Sequence, residues 1–451
     1  MKFLISVMAV FGLTIGLAGQ SMAVIHNAPS EIKRQAVPGE FIVSLKQTAT
    51  AAEATLSRVS HLLVAAPDSF LATKGKTLVH LKVAPETTSQ TLRSALAEAP
   101  VEWIQPNYAY EGDPREVLSD DPQLEEQFHH AVMANADAWD VSVGDEDVVV
   151  AVTDDGVEID HEDLRANIWV NEGEIPDNGI DDDGNGYIDD VNGYDIIAGD
   201  NDPTPEAGDY HGTHVAGIVA ATAGNGLGVA GTAPGVRVMP VKFYGGGVWT
   251  SRIIAESYKY ATDNGAKIIT TSYNINSFVG DNVFEEGVQY GYDRGVLHFN
   301  SAGNGYQQNP ARQYFDQLML VCSTIADNSN NDEKSNYSNY GYGVDLCAPG
   351  GGGSAGILST YKGNSYRRLS GTSMAAPNAA AVAALLWSYN PEWSRDQVAA
   401  QLFAGSENID GLNPEFAGEL GAGRVNSVNA LTIPSEAPQI AGVVGVEDGV
   451  L

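Results

Sequence analysis

Apolar residues fall along this chain in short blocks with two different rhythms. Between residues 37 and 111 the rhythm is mainly alternation. Glu40-Phe-Ile-Val-Ser-Leu-Lys46 reads as a strand with one buried face, and residues 49–63 read as a helix. Ser69–Thr73 and Lys76–Val83 are strand-like, Leu92 and Leu96 lie one helical turn apart within Ser89–Glu98, and Val101–Tyr110 is extended again. The β-α-β-β-α-β order that results is the ferredoxin-like signature of a small α+β domain. From about residue 116 the rhythm changes to continuous apolar runs near 148–153, 237–243, 267–272, 296–302, 318–326 and 344–348, separated by helical segments. Runs apolar on both faces, alternating with helices, predict an α/β fold in three layers, with a parallel central sheet between two sets of helices. The small, apolar stretches His211–Ala221 and Ser373–Leu386 predict buried helices.

The ends follow other rules. Lys2 precedes an apolar run from Phe3 to Leu17, and Ser21 and Ala23 bracket Met22 as a cleavage site, the pattern of a secretory signal peptide over 1–23. The run is too short for a membrane span and none later is longer, so a secreted product, extracellular or periplasmic, is expected. The predicted division is then 24–115 for the small domain, 116–432 for the larger one and 433–451 for a Pro/Gly/Val-rich disordered tail.

Three polar interruptions of the apolar runs carry candidate chemistry. They are Val150-Ala-Val-Thr-Asp-Asp-Gly156, His211-Gly-Thr-His-Val-Ala-Gly217 and Gly371-Thr-Ser-Met-Ala-Ala-Pro377. A serine hydroxyl needs an imidazole to take its proton, and the imidazole needs a carboxylate to hold its tautomer. Ser373, His211 and Asp154 fit these roles. Asp154 closes a buried strand, while His211 and Ser373 open helices, whose free N–H groups favour a developing oxyanion. The run Val296–Asn304 reads as a strand entering a Gly-Asn turn, which places the Asn304 amide as a second oxyanion donor beside the Ser373 N–H. Each motif alone has an ordinary reading, as a turn cap, a buried histidine or a helix N-cap. Their coincidence in one chain does not.

Composition narrows the partners. The net charge of -34, from 58 acidic and 24 basic residues, excludes the usual nucleic-acid binders and suits cations, basic substrates or a saline habitat. The densest acidic run is Asp177–Asp190, in which Asp181, Asp183, Asn185, Gly186, Tyr187 and Asp189 match the first nine positions of a Ca²⁺ loop. Its closing position is Asn192 in place of Glu. The two cysteines, Cys322 and Cys347, sit in consecutive strand-like runs, which leaves both a disulfide and buried thiols open.

With Asp154, His211 and Ser373 in this order and Asn304 between the last two, residues 37–431 resemble the subtilisin-like serine protease superfamily, which has the same triad order. The resemblance implies a subtilisin-like fold, hydrolysis of protein or peptide substrates through an acyl-enzyme, and an inhibitory propeptide in the small domain, self-cleaved between Tyr110 and Asp121. It implies two further calcium sites. One comprises Asp121, Asp163 and Asn225 with the carbonyls of Ala223, Leu227 and Val229; the other, shared with kexin- and furin-like relatives, comprises Asp195, Asp200 and Asp202. One to three Ca²⁺ ions are therefore expected. Substrate strands in the family pair with segments matching Gly245-Gly246-Gly247 and Ser272-Tyr273-Asn274, with Gly303 beside them; Asn274 stands where the family has glycine. A monomer without nucleic-acid or membrane partners is expected. The rival class is a catalytically inactive module of the same fold, a binding or calcium-structured protein.

Overall fold

The computed structural model describes residues 33–46, 55–73, 76–97, 99–111, 120–245, 249–325, 332–352 and 355–433. The expected signal segment 1–23, the residues 112–119 within the expected cleavage region and the tail beyond 433 lie outside the described residues. Two compact units divide the chain, Met1–Glu116 and Val117–Leu451.

In the first unit four antiparallel strands, β1 (Lys33–Leu45), β2 (Asp68–Thr73), β3 (Lys76–Lys82) and β4 (Val101–Glu111), stand in the order β2-β3-β1-β4. The alternation read from sequence is the register: Val43 faces Val79 on one neighbour and Ile104 on the other. These side chains and Leu81 form a core closed by Leu92 and Leu96 from and just beyond helix α1 (Ser89–Ala95), whose N-cap Thr88 accepts the Thr91 N–H at 3.1 Å. Of the helix expected over 49–63, the described part ends in a 3₁₀ segment, Ser57–Leu62, and 47–54 lie outside the described residues.

The second unit opens with two short helices, α2 (Phe128–Met133) and α3 (Asn135–Trp139). Its sheet contains β5 (Val149–Asp154), β6 (Tyr194–Asp195), β7 (Arg237–Lys242), β8 (Ile268–Thr271), β9 (Leu297–Ser301), β10 (Leu318–Thr324) and β11 (Leu346–Pro349), all parallel, in the order β11-β10-β9-β8-β5-β7-β6. Period-2 geometry sends Val150 and Val152 to one face and Val149 and Ala151 to the other. The first face packs on α4 (His211–Ala220), α7 (Thr372–Tyr389), α8 (Arg395–Gly405) and α9 (Ser427–Thr432); the second packs on α5 (Ser251–Asp263) and α6 (Asn282–Asp293). Buried almost throughout, α7 runs through the interior, which its Ala-rich, non-amphipathic sequence requires.

Two strand features were not legible in the pattern. β6 is only two residues long, and the hairpin β12 (Ile357–Tyr361) and β13 (Ser365–Leu369) includes a half-exposed strand containing two arginines, so it shows no continuous apolar run. Cys322 and Cys347 form a disulfide across directly opposed positions of β10 and β11.

Candidate active site

The sheet delivers candidate groups to one edge, as parallel sheets do at the carboxyl ends of their strands. Asp154 ends β5, Ser272 follows β8 and Asn304 lies three residues beyond β9. The carboxylate of Asp154 is nearly buried and accepts from His211 Nδ1 at 2.9 and 3.0 Å, which fixes the proton on Nδ1 and leaves Nε2 as the base. Burial pushes the imidazolium down, but the Asp154 charge and hydrogen bond outweigh it, and His211 is pushed up to about 9.

His211 is the first residue of α4, and its N-cap, Tyr210, provides no side-chain acceptor. Asp155 does so from the neighbouring strand end. Its carboxylate accepts the N–H groups of Tyr210, His211 and Gly212 at 3.2, 3.1 and 2.7 Å. The consecutive aspartates thus divide the work, one holding the ring and the other the helix that carries it. Burial, followed by the Asp154 charge, pushes Asp155 up to about 6 against the pull of these donors. Gly212 has no alternative: a Cβ there would lie 2.9 Å from Asp154 Cβ and closer still to Gly156 O. The second histidine of the motif, His214, is fully buried, with Nε2 at 3.1 Å from Ile357 O and 2.9 Å from Arg367 O, and burial pushes it down to about 3. It ties α4 to the β12–β13 hairpin.

Ser373 occupies the first turn of α7, and its hydroxyl donates to Ser272 O at 3.0 Å. In return, Ser272 Oγ donates to Ser373 O at 3.0 Å. That carbonyl is available because its helical partner four residues on is Pro377, which has no N–H. A rotation about the Ser373 side-chain torsion frees the hydroxyl from Ser272 O.

Asn304 is oriented by α7. Its Oδ1 accepts the Thr372 N–H at 2.9 Å and the Thr372 hydroxyl at 2.8 Å, so its amide donor is turned away from them. Gly371 shows where that donor points. A Cβ built on it would lie 3.3 Å from Asn304 Nδ2 and 3.6 Å from Ser373 N, so both donors border one small space. Gly303, at φ 103°, occupies a left-handed conformation suited to glycine and donates its N–H to Thr372 Oγ1 at 3.0 Å. Together these groups can shift a proton from a serine to an imidazole and hold a developing oxyanion.

Beside the Asp154–His211 pair lies a cavity of about 220 Å³ lined by Phe243, Tyr244, Trp249, Ser272 and Tyr273 as well as the pair and Asp155. Ser272 and Tyr273 of the expected substrate segment therefore border the site, and exposed Asn274 accepts the Asn276 N–H at 2.9 Å. Gly245 lies beside Glu206 and Lys242, and Gly246 and Gly247 lie outside the described residues.

The expected calcium ligands fare differently. Asp121 and Asp163 grip the 223–229 loop that carries Ala223, Leu227 and Val229: Asp121 accepts the Gly224 and Asn225 N–H groups at 2.8 and 3.2 Å, and Asp163 accepts Asn225 Nδ2 at 2.8 Å and Val229 N–H at 2.9 Å. Burial, with Asp163 adding like charge, pushes Asp121 up to about 6. Burial raises both carboxylates, and Asn225 links them, touching Asp121 through its main-chain N–H and Asp163 through its side-chain amide; the donors gathered here are of the oxygen type that a hard divalent cation takes.

In the acidic run the structure brings a partly different set of carboxylates together. Asp181 accepts the Asn185 and Gly186 N–H groups and Asp189 those of Asn178 and Gly179, while Tyr187, expected to offer its main-chain carbonyl, packs its ring on Tyr194 and Tyr260. Of the expected carboxylates only Asp183 joins a cluster, with Glu174 and Asp190, whose oxygens all lie within 4.8 Å of one another. Asn171 and Asn185 each donate to both Asp183 and Asp190. The all-oxygen cluster could hold a metal ion. Glu174 was missed because it lies outside the run, and Asp190 because the loop template skips that position.

Asp195, Asp200 and Asp202, expected to form a calcium site, have other partners in this structure. Asp195 is buried against the equally buried Lys242, with Nζ 2.8 Å from Oδ2. An ammonium supplies the positive charge expected from calcium, and Asp195 and Glu206 hold its pKa above the usual lysine range despite burial. Asp200 and Asp202 make local turn bonds to Asp202 N–H and Thr204 N–H at 3.2 and 3.1 Å.

Comparison with known proteins agrees with this geometry. The model of the subtilase family matches residues 145–423. Thermitase of Thermoactinomyces vulgaris is 35% identical over 298 residues, 65% of this chain and 91% of thermitase. The halolysin-like extracellular serine protease Nep of Natrialba magadii is 31% identical over 432 residues, 93% of this chain and 71% of Nep. A solved protease of Pseudoalteromonas arctica PAMC 21717 superposes with a TM-score of 0.56 at 27% identity, covering 70% of this chain and 99% of that one. Strand-edge geometry, motif order and relatives coincide, and the chain belongs to the subtilase family of serine endopeptidases.

Proposed function

We propose that Asp154, His211, Ser373 and Asn304 perform the peptide-bond hydrolysis of this endopeptidase. The observation that carries the reading is the pair of converging donors, Asn304 Nδ2 and Ser373 N, next to a serine at the edge that also holds the Asp154–His211 pair. Ser373 Oγ gives its proton to His211 Nε2 as it bonds to the scissile carbonyl carbon, and the carbonyl electrons move onto the oxygen facing the two donors. Collapse re-forms the carbonyl and breaks the C–N bond, with the proton passing from His211 to the leaving amine. Water then repeats the sequence on the acyl-enzyme.

The protein is made, on this reading, as a secreted precursor whose first unit inhibits the second until self-cleavage between Tyr110 and Asp121. The basic-hydrophobic start of the chain, the disulfide and the likeness to Nep, an extracellular protease, support secretion. Calcium is proposed at Asp121, Asp163 and Asn225 and at Glu174, Asp183 and Asp190, and not at Asp195. The ion would tie the loops together and has no step in the hydrolysis.

Labelling by a serine-directed fluorophosphonate tests the reading. Wild-type protein takes up the label, whereas Ser373→Ala takes up none and remains as uncleaved precursor when no other protease is present. A labelled Ser373→Ala protein would overturn the assignment of the nucleophile.

A further inference from the structure

The turn carrying Asn304 is irregular backbone that its own sequence does not stabilise. Gly303 has φ 103°, and Tyr306, two residues past Asn304, sits at φ 51°, a left-handed conformation that costs a non-glycine residue about 1 kcal/mol or more. Such a turn keeps its shape only if neighbouring groups hold it.

One side chain holds it at several points. Asn339 is 2% exposed. Its Oδ1 accepts the N–H of Gly305 at 3.1 Å and of Gln307 at 2.8 Å, its Nδ2 donates to Ala302 O at 2.8 Å, and its own N–H donates to Gly303 O at 2.9 Å. These bonds bracket Asn304 on both sides. The segment bearing Asn339 is itself anchored. Tyr337 O accepts the Tyr306 N–H at 2.8 Å, and the buried Lys334 ammonium donates to Ser335 O and Ser338 O, both at 3.0 Å, while lying 4.5–5.1 Å from the rings of Phe416, Tyr306 and Tyr340. A cation held against aromatic faces is attracted by their π electrons.

We propose that Asn339 is a positioning residue for the oxyanion site, fixing the 302–307 turn so that Asn304 Nδ2 meets the transition state. The proposal rests on the reading of Asn304 as an oxyanion donor. An interaction made only in the transition state appears in kcat and not in KM, and a displacement of about 1 Å costs up to roughly 10²-fold.

The experiment is steady-state hydrolysis of a chromogenic peptide by mature wild type, Asn339→Ala, Asn304→Leu and the double variant, with thermal midpoints recorded. Asn339→Ala is expected to lower kcat by about 10- to 100-fold with KM within about threefold, and to weaken a peptide boronate, a mimic of the tetrahedral state, by a similar factor. In the Asn304→Leu background the same change should cost less than about threefold in kcat, because the donor it positions is gone. An unchanged kcat, or an equal loss in both backgrounds, overturns the role of Asn339. An unchanged kcat in Asn304→Leu alone overturns instead the reading of Asn304. If Asn339→Ala does not fold, Asn339→Ser, a smaller perturbation, carries the same dependence on Asn304, and its absence overturns the proposal.

Discussion

At the scale of single residues the site is a set of constrained orientations. Asn304 is aimed by Thr372, which takes both acceptor bonds and leaves the donor for the oxyanion. Replacing Asn304 with Leu keeps the size and removes the donor, so kcat should fall by about 10²- to 10³-fold with KM little changed in steady-state assays. A pure KM effect would assign Asn304 to substrate binding. His211 gives the pH dependence. Its imidazolium is stabilised by Asp154 with a pKa of about 9, and only the neutral ring can accept the Ser373 proton. Raising the pH through this value removes the proton, so kcat/KM should climb from about pH 7, pass half its maximum near 9 and level off above about 10, as a pH–rate profile on a neutral peptide would show. The same residue contributes stability with the opposite slope: the ion pair is fully present below the ordinary histidine pKa and is lost as pH rises through about 9.

Elements supply the reason that these residues were legible in the sequence. Asp154, His211 and Ser373 sit where an apolar run stops or starts, and an apolar run of the right length fixes a strand end or a helix start without any knowledge of tertiary contacts. Asn339 and Asp155 were not legible as supports because their work is done between elements, across a strand edge and onto a helix or turn distant in sequence. Calcium ligands fall between these cases. A loop template finds the acidic run, but whether a carboxylate faces a cation or a backbone N–H depends on local turns, and Asp195 was claimed by a lysine from β7. The helix start at His211 offers a direct check. Asp155→Ala leaves three N–H groups at the start of α4 without their acceptor, and should cost about 1–3 kcal/mol in stability while also lowering kcat, since the helix orients the base. Denaturant unfolding of the Ser373→Ala background, where self-digestion is absent, measures the first effect, and a peptide assay measures the second.

For the molecule as a whole, charge is the dominant problem. A net charge of -34 repels itself, and folding gathers carboxylates at Asp121 and Asp163 and again at Glu174, Asp183 and Asp190. A cation bound only by the native state stabilises it by RT ln(1 + [L]/Kd), about 2.7 kcal/mol at a hundredfold excess. Chelation should therefore lower the thermal midpoint, and Ca²⁺ should restore it at concentrations where sodium chloride of equal ionic strength does not. Equal rescue by sodium chloride would reduce both clusters to screened surface charge.

A peptidase in concentrated solution is also its own substrate, so its lifetime depends on how rarely an edge of the fold opens to reach another copy's cleft. β11 is the last strand of the large sheet on one side; main-chain bonds between Cys347 and residues Gly423 and Val425 cover its outer side, and the Cys322–Cys347 bond ties it to β10. Cleavage of a folded chain proceeds through local opening, and a covalent tie between an edge strand and its neighbour makes that opening rarer. The bond thus acts as a durability device: reducing agent should shorten the half-life of the active enzyme more steeply at high than at low enzyme concentration, with early nicks between residues 325 and 345 visible by mass spectrometry.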